Sequence, residues 1–429
     1  MVSIRNSGRT IPVYWGFRVW LDKGVHCENI PETLVYDQGK GLYILHMIFY
    51  DSETARRTDA VPIPPIACGS FAVGDQAFVK HVDELLPFVE RMLTSGPVIA
   101  GHYIAFDMCA IMTQWPHLTG AVFEAYEQDR VTCTEVRQKL LDIADPCCEK
   151  KDSGVWYRKR GKLTRVKYSL AFCMDRFFGR VIEGKGTTQL EYGDLINVPF
   201  ELWSHKAQTY PVDDVIAPRD LYWHQEQDRH LLDDQYRQAR KSFWLALMSA
   251  HGLATNPRKV DELESAKLAE RNELTAQLLV DGLIRYEGPK CDPYRKIVKS
   301  PSRVRELVGR HWTDGEVPRT TVEDKSEAYR QKYPDGRVKT DADTLKQIVD
   351  CPELERYKRY VDATGFLSRD IPALKLGCNG NRIHTRFDSL KATGRTSSSK
   401  PNVQNPRRKG GVRECYEPSE TIWRPIRCD

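Results

Sequence analysis

The sequence predicts an α/β chain in which strands gather in the first half and helices fill the second. Two apolar runs of strand length, residues 42–50 and the stretch opening at Pro97, each lead into carboxylates. A long helical pattern covers residues 219–251, polar first and apolar at its end, and a second one rich in Glu, Lys, Ala and Leu covers 257–286. At 429 residues the chain has room for two or three domains with their own cores.

Composition narrows the class. Hydrophobic residues make up 41% and charged residues 29%, the balance of a soluble globular protein. A net charge of +5 is modest, so where the basic residues concentrate matters more than their sum. The twelve cysteines are scattered, with Cys147 and Cys148 adjacent and no pair of Cys-x-x-Cys motifs. That argues against a zinc site and for free thiols in a reducing compartment. The opening residues lack the apolar core of a signal peptide, and no apolar run reaches the roughly 18 residues of a membrane span. The expected location is the cytoplasm, with no membrane partner.

Taken in order, residues 1–45 alternate aromatic and polar positions, as at 11–21, and read as one or two short strands without assignable chemistry. The run at 42–50 ends in Asp51, Ser52, Glu53 and Thr54. Side chains two apart on a strand share a face, so Asp51 and Glu53 point the same way. Two carboxylates held together repel unless a cation lies between them. The strand from Pro97 turns into a helical stretch at 108–114 and places Asp107 at its start, where a helix N-terminus also favours negative charge. Tyr210 and Asp214 follow at helical i and i+4 spacing, on one face, with Pro211 accommodated as an early helix residue and Asp213 as the adjacent candidate.

Between these motifs, residues 129–144 read as an amphipathic helix and 168–178 as a packed one. Residues 150–167 are strongly basic and glycine-punctuated, a surface hairpin or loop that is either solvated or a contact for single-stranded DNA. Gly252 closes the 219–251 pattern as a C-cap. Ser300 and Pro301 open a helix at 300–310 as N-cap and first residue, with arginines suited to duplex phosphates, and 341–363 adds more helix.

Residues 391–413 hold seven basic residues, Lys391, Arg395, Lys400, Arg407, Arg408, Lys409 and Arg413, and no acidic one. Thr393, Ser397, Ser398, Ser399, Asn402, Gln404 and Asn405 set short hydroxyl and amide groups among the charges, and glycine and proline keep the stretch irregular. Such a segment neutralises phosphates and hydrogen-bonds to bases or sugars. A strand-like lead at 381–388 precedes it.

Thr393-Gly394-Arg395-Thr396-Ser397 followed by Pro401-Asn402-Val403-Gln404-Asn405 resembles the signature before the first catalytic motif of family A (Pol I-like) DNA polymerases. With Arg413-Glu414-Cys415 after it, the stretch is most similar to phage members. The upstream carboxylates, in their order, resemble the three motifs of DEDDy 3′–5′ exonucleases, the proofreading domain of that family. The resemblance implies an N-terminal appendage at 1–40 and an RNase H-like exonuclease domain at 41–235. A mainly helical thumb at 236–375 and the first, incomplete segment of a polymerase palm at 376–429 would follow.

The same resemblance implies Asp51, Glu53, Asp107, Tyr210 and Asp214 as the catalytic set. The four carboxylates would hold two Mg²⁺ or Mn²⁺ ions, hard cations suited to oxygen ligands. One would generate the hydroxide nucleophile and the other stabilise the departing 3′ oxygen, with Tyr210 orienting the water and a deoxynucleoside monophosphate leaving the DNA 3′ end. Lys391, Thr393, Arg395, Ser397, Asn402, Gln404, Asn405 and Arg407 are implied to contact primer–template DNA. Arg395 would do so in the minor groove, where acceptors common to all Watson–Crick pairs report pair geometry. One departure stands out: Tyr103 occupies the place of the asparagine usual in the second motif, an amide that helps hold the substrate end.

Asp429 sits about where the metal-binding aspartate of the first polymerase motif belongs, with Glu420 and Thr421 in the usual glycine region. Polymerisation needs a second carboxylate in the same site. The expectation is therefore the N-terminal part of a phage-type polymerase acting in DNA replication, in the host cytoplasm for a phage gene. It would combine proofreading with primer–template binding, and nucleotidyl transfer would require a separate C-terminal polymerase half. Two other readings stay open: a non-catalytic DNA-binding half of a split polymerase, and a stand-alone 3′–5′ exonuclease, which leaves residues 391–413 without a purpose. Fragment, truncated product and split half are equally compatible with the sequence.

Overall fold

The structure is a computed structural model that describes residues 3–6, 9–12, 47–58, 61–151, 154–159, 161–182, 191–289, 295–323 and 325–417. Most of the expected 1–40 appendage, the start of the 42–50 run and Asp429 lie outside the described residues. The fold is mixed α/β. It divides into two compact units, Met1–Gly252 with His384–Asn405, and Leu253–Ile383 with Pro406–Asp429. Among the described residues no helix is long and apolar enough to cross a membrane.

In the first unit, strands β1 (Ser3–Asn6) and β2 (Arg9–Pro12) pair antiparallel. The main sheet contains β3 (Met47–Thr54), β4 (Ile66–Val73), β5 (Gln76–His81), β6 (Val98–Gly101) and β7 (Val131–Cys133), in the spatial order β5-β4-β3-β6-β7. β3, β4 and β5 form an antiparallel meander, while β6 and β7 run parallel to β3. Helices α1 (Val82–Thr94), α2 (Ala105–Gln114), α3 (Thr119–Glu127) and α4 (Thr134–Ala144) intervene or follow. A small antiparallel sheet of β8 (Glu149–Lys151), β9 (Gly154–Lys159) and β10 (Lys162–Arg165) leads to α5 (Leu170–Phe178), α6 (Tyr192–Leu195), α7 (His205–Gln225) and α8 (Gln235–His251).

The alternation of β3 decides what each face meets. Ile48 and Tyr50 join the core formed by α1, α2, α3 and α8, including Leu85, Met108, Val122 and Phe243. Met47 and Phe49 point the other way and pack with Val215 and Tyr222 of α7. Burying both faces explains why residues 47–50 are apolar without interruption.

Three expectations change here. The amphipathic helix expected at 129–144 begins only at Thr134, because Val131, Thr132 and Cys133 extend the sheet beside β6 and are buried there. The pattern at 219–251 is two helices, α7 and α8, broken by a turn in which Asp228 leaves helical geometry (φ −113°, ψ 31°). Pro211 lies inside α7 rather than near its start. A proline cannot donate to the carbonyl four residues back. The Tyr192 hydroxyl donates to that carbonyl, Ala207 O, at 2.9 Å, so the acceptor is not left empty. Gly252, at φ 70°, ends α8.

The second unit is mainly helical. Asn256 caps helix Pro257–Val280 by accepting from Lys259 N at 3.0 Å, and Pro257 fills the first turn. That helix stops short of the expected 286. Ile284–Glu287 instead pairs antiparallel with Lys296–Lys299. Helix Pro301–His311 follows, although Ser300 makes no side-chain capping bond. Helices Ala342–Gln347 and Pro352–Gly365 complete a core around Leu278, Leu307 and Leu354.

Candidate active site

Beyond Phe49 the alternation of β3 continues into polar residues. Asp51 and Glu53 inherit the face covered by α7, and Ser52 the opposite one. Asp214 on α7 meets the first pair: ligand oxygens of Asp51, Glu53 and Asp214 all lie within 4.8 Å of one another. Glu53 is 3% exposed and Asp214 5%. The Tyr210 hydroxyl, one helical turn earlier, donates to Asp214 Oδ2 at 3.1 Å. Burial pushes this phenol far above its ordinary range, and the charges of Asp214 and Glu53 push it further, so it stays a proton donor. The sequence reading gave Tyr210 a water to orient; here its hydroxyl serves the carboxylate.

Asp107, on α2, lines the same pocket but stands outside the three-carboxylate group. Its Oδ1 accepts from Ser52 N at 3.0 Å and from Ser52 Oγ at 2.6 Å. Its carboxyl is raised to about 7, chiefly by burial, with the Ser52 bonds opposing the rise and Asp214 adding to it. Neighbouring groups register the same negative field. The buried Cys68 thiol is raised well above its usual value by burial, then by Glu53 and Asp51.

The pocket has a volume of 790 Å³. Its other wall comes from α4 and the strand Arg386–Asp388, which pairs antiparallel with Ser397–Ser399. There Lys139 Nζ bridges Glu135 (2.6 Å) and Asp388 (2.9 Å), and Lys391 Nζ takes the other Asp388 oxygen at 2.8 Å. Burial works against the Lys139 ammonium, but Glu135 and Asp388 outweigh it and hold its pKa above the lysine range. Burial likewise pushes Asp388 up, and Lys139 and Lys391 overcome it to leave the carboxyl below its ordinary value. His102 joins α4 to the segment before α5, Nδ1 to Thr134 Oγ1 at 2.9 Å and Nε2 to the Tyr168 carbonyl at 2.8 Å. The carbonyl can only accept, so Nε2 carries a proton. Arg56 and Arg57, exposed, follow Glu53 along the rim.

Tyr103 also lines this pocket, and its backbone is left-handed (φ 62°). Glycine and asparagine adopt that conformation more readily than a bulky aromatic residue. Burial raises its phenol to about 12, with Glu135 adding to the rise and Arg57 opposing it.

The eight residues expected to contact primer–template are not presented as one set. Lys391 is paired with Asp388. Asn402 Oδ1 accepts from Ser398 Oγ, Gln404 N and Asn405 N at 3.1–3.2 Å, and Gln404 Nε2 donates to Thr396 Oγ1 at 2.8 Å. Ser397 lies in a short strand, more regular than expected. Thr393 and Arg395 sit exposed in a turn closed by Lys391 N donating to Arg395 O, and Asn405 is exposed as well. Arg407 belongs to the second unit, where Nε donates to Asp370 at 2.7 Å, the guanidinium also pairs with Asp362, and its plane lies 4.3 Å from the Phe366 ring.

Sequence reasoning missed Ser52, His102, Glu135, Lys139, Asp388, Arg56 and Arg57. Glu135 and Lys139 were readable as an i, i+4 pair. Ser52 was visible between the two acidic residues, but its partner 55 positions away was not.

A metal fits the donor set. Three carboxylates converging in a largely buried site offer oxygen ligands alone, which suit a hard divalent cation.

No described protein family matches this sequence, and no curated protein does. Among solved structures, the chain is similar to the POL domain of Pol1 from M. smegmatis, determined in complex with DNA primer-template and dNTP. The TM-score is 0.52 at 18% identity over 86% of this chain and 53% of that one, so this chain spans about half the length of its neighbour, and the likeness is one of fold.

Proposed function

We propose that residues 41–235, within the first unit, form an RNase H-like 3′–5′ exonuclease and that the chain is the N-terminal part of a phage-type family A DNA polymerase. One observation carries the nuclease reading: Asp51, Glu53 and Asp214, from two separate elements, converge within 4.8 Å beside Asp107 in a pocket large enough for a nucleotide. The sheet order, an antiparallel meander with two parallel strands added beside its first strand, supports the RNase H-like reading. Likeness to a polymerase domain held with primer-template supports a polymerase-related role. In this reading the helical second unit contributes the thumb, residues 376–417 begin the palm, and Arg395 meets duplex DNA.

Asp51, Glu53 and Asp214, with Asp107, would hold Mg²⁺ or Mn²⁺. Bound there, divalent ions supply an acidified attacking water and charge stabilisation at the scissile phosphate. Tyr210 keeps Asp214 oriented through its hydroxyl. Ser52 holds Asp107 at the edge of the group. His102 braces the α2 entrance against α4 and Tyr168. Exposed Arg56 and Arg57 offset the repulsion between an acidic pocket and a polyanionic strand.

The test is a 5′-labelled primer with a mismatched 3′ end on a template, incubated with Mg²⁺ with and without deoxynucleoside triphosphates. Stepwise shortening in both lanes is expected. A primer left at full length at every Mg²⁺ and Mn²⁺ concentration would overturn the nuclease reading. A specific observation favours a second reading, a non-catalytic DNA-binding part: Asp107 is bonded to Ser52 and lies outside the three-carboxylate group. Tight duplex binding without cleavage would support it.

A further inference from the structure

The basic stretch at 150–167 has no part in the pocket chemistry, yet it is the most concentrated charge in the first unit, with eight basic residues and one acidic. It folds as the sheet β8-β9-β10. One face is anchored: Val155, Tyr157 and Val166 pack with Ile143, Tyr168 and Phe172. Register fixes what the other face carries. Trp156 lies opposite Glu149 on one side and Arg165 on the other, and Arg158 and Lys151 fall in the same alternation. The outer face is therefore an aromatic ring framed by three cations, with Lys151 Nζ 5.6 Å from the Trp156 ring centre. Among the described residues Glu149 is the one carboxylate in that row, shared by Lys151 (3.3 Å) and Arg158 (3.8 Å). Positive charge remains in excess.

We propose that this face is a platform for single-stranded nucleic acid, with Trp156 stacking on a base and Lys151, Arg158 and Arg165 neutralising the flanking phosphates. A flat aromatic side chain among cations binds single strands without regard to sequence, because every base offers a face and every linkage a charge. A strand held here would pass on to the pocket, which the platform adjoins along the chain. Lys167 continues from β10 directly into Tyr168, Ser169 and Leu170, which line it. Only that last step rests on the nuclease reading; the binding face stands without it.

The experiment is anisotropy of a labelled oligothymidylate with the whole chain in EDTA, over a series of salt concentrations, so that absence of cleavage cannot affect the result. Trp156→Ala should weaken binding about tenfold. Lys151→Ala/Arg158→Ala/Arg165→Ala, all at exposed positions, should weaken it at least as much and lower the slope of log affinity against log salt by about 2. Lys80→Ala/Arg91→Ala/Arg237→Ala, which removes the same charge elsewhere in the unit, should leave affinity within about twofold. Unchanged affinity and slope in the two platform variants overturn the proposal. So does polyglutamate displacing the oligonucleotide at equal charge concentration from wild type and not from the triple platform variant, which would assign the face to an acidic protein.

Discussion

The two walls of the pocket are both rich in carboxylates, and they differ in what answers the charge. On the α4 side, Glu135, Lys139, Asp388 and Lys391 alternate in sign, each acid bonded to a lysine within 3 Å. On the β3–α7 side, Asp51, Glu53 and Asp214 face one another, the Tyr210 hydroxyl donates to Asp214, and the Ser52 hydroxyl and amide donate to Asp107. Lys139 and Lys391 hold Asp388 below its ordinary pKa despite burial, while burial above all raises Asp107 to about 7. The lesson is that one wall spaces its carboxylates with lysines and holds the chain together, whereas the other brings three carboxylates to one point, an oxygen donor set that suits a divalent cation.

Variants separate the two. The largest effect is expected from Asp51→Asn, Glu53→Gln or Asp214→Asn. Each should cut 3′-end hydrolysis by at least about 10²-fold, the scale of losing one preorganised electrostatic contact. Each should also leave melting in EDTA unchanged or raised, because a repulsion is relieved. On the paired wall the order reverses. Lys139→Met strands Glu135 and leaves Asp388 with Lys391 alone, so stability should fall by about 2–3 kcal/mol in denaturant titration. That lies at or below the 3–5 of a fully buried pair, since the Asp388 side chain is 34% exposed. Equal destabilisation by Asp214→Asn and Lys139→Met would erase the distinction.

Acidity gives a second contrast, of opposite sign. Asp107 has a folded pKa near 7 against an ordinary 3.8, so its neutral form is favoured in the fold. Its contribution to stability is complete below about pH 4 and is lost as pH rises towards 7, a trend that Asp107→Asn should flatten in melting scans. Asp388 is depressed; its contribution is present above the ordinary carboxylate range and is lost as pH falls through its folded pKa.

Much of this was legible in the sequence where a local period carries it. Asp51 and Glu53 share a face because a strand alternates, and Tyr210 reaches Asp214 because a helix repeats. What escaped depends on tertiary partners. Nothing local marks Lys139 as the partner of Asp388, 249 residues on, and Val131 to Cys133 form a strand only because β6 offers them an edge. The signature at 393–405 was legible as a motif but not as a structure, since Ser398 and Asn402 spend their polar groups on the loop itself.

The smallest expected effects lie at the rim. Tyr103→Asn relieves a left-handed backbone and should add about 0.5–1 kcal/mol of stability. Arg395→Ala, exposed, should change stability by less than about 0.5 kcal/mol while lowering the salt dependence of duplex binding by about one phosphate.

The central claim is that the three-carboxylate wall takes up a divalent cation. Titration of Mn²⁺ into the metal-free protein, with free Mn²⁺ read by electron paramagnetic resonance, addresses it directly. Wild type should bind the ion, more tightly above pH 7 than below, Asp214→Asn should lose that binding, and Lys346→Ala, at an exposed pair in the second unit, should keep it. Equal Mn²⁺ uptake by wild type and Asp214→Asn would contradict the account.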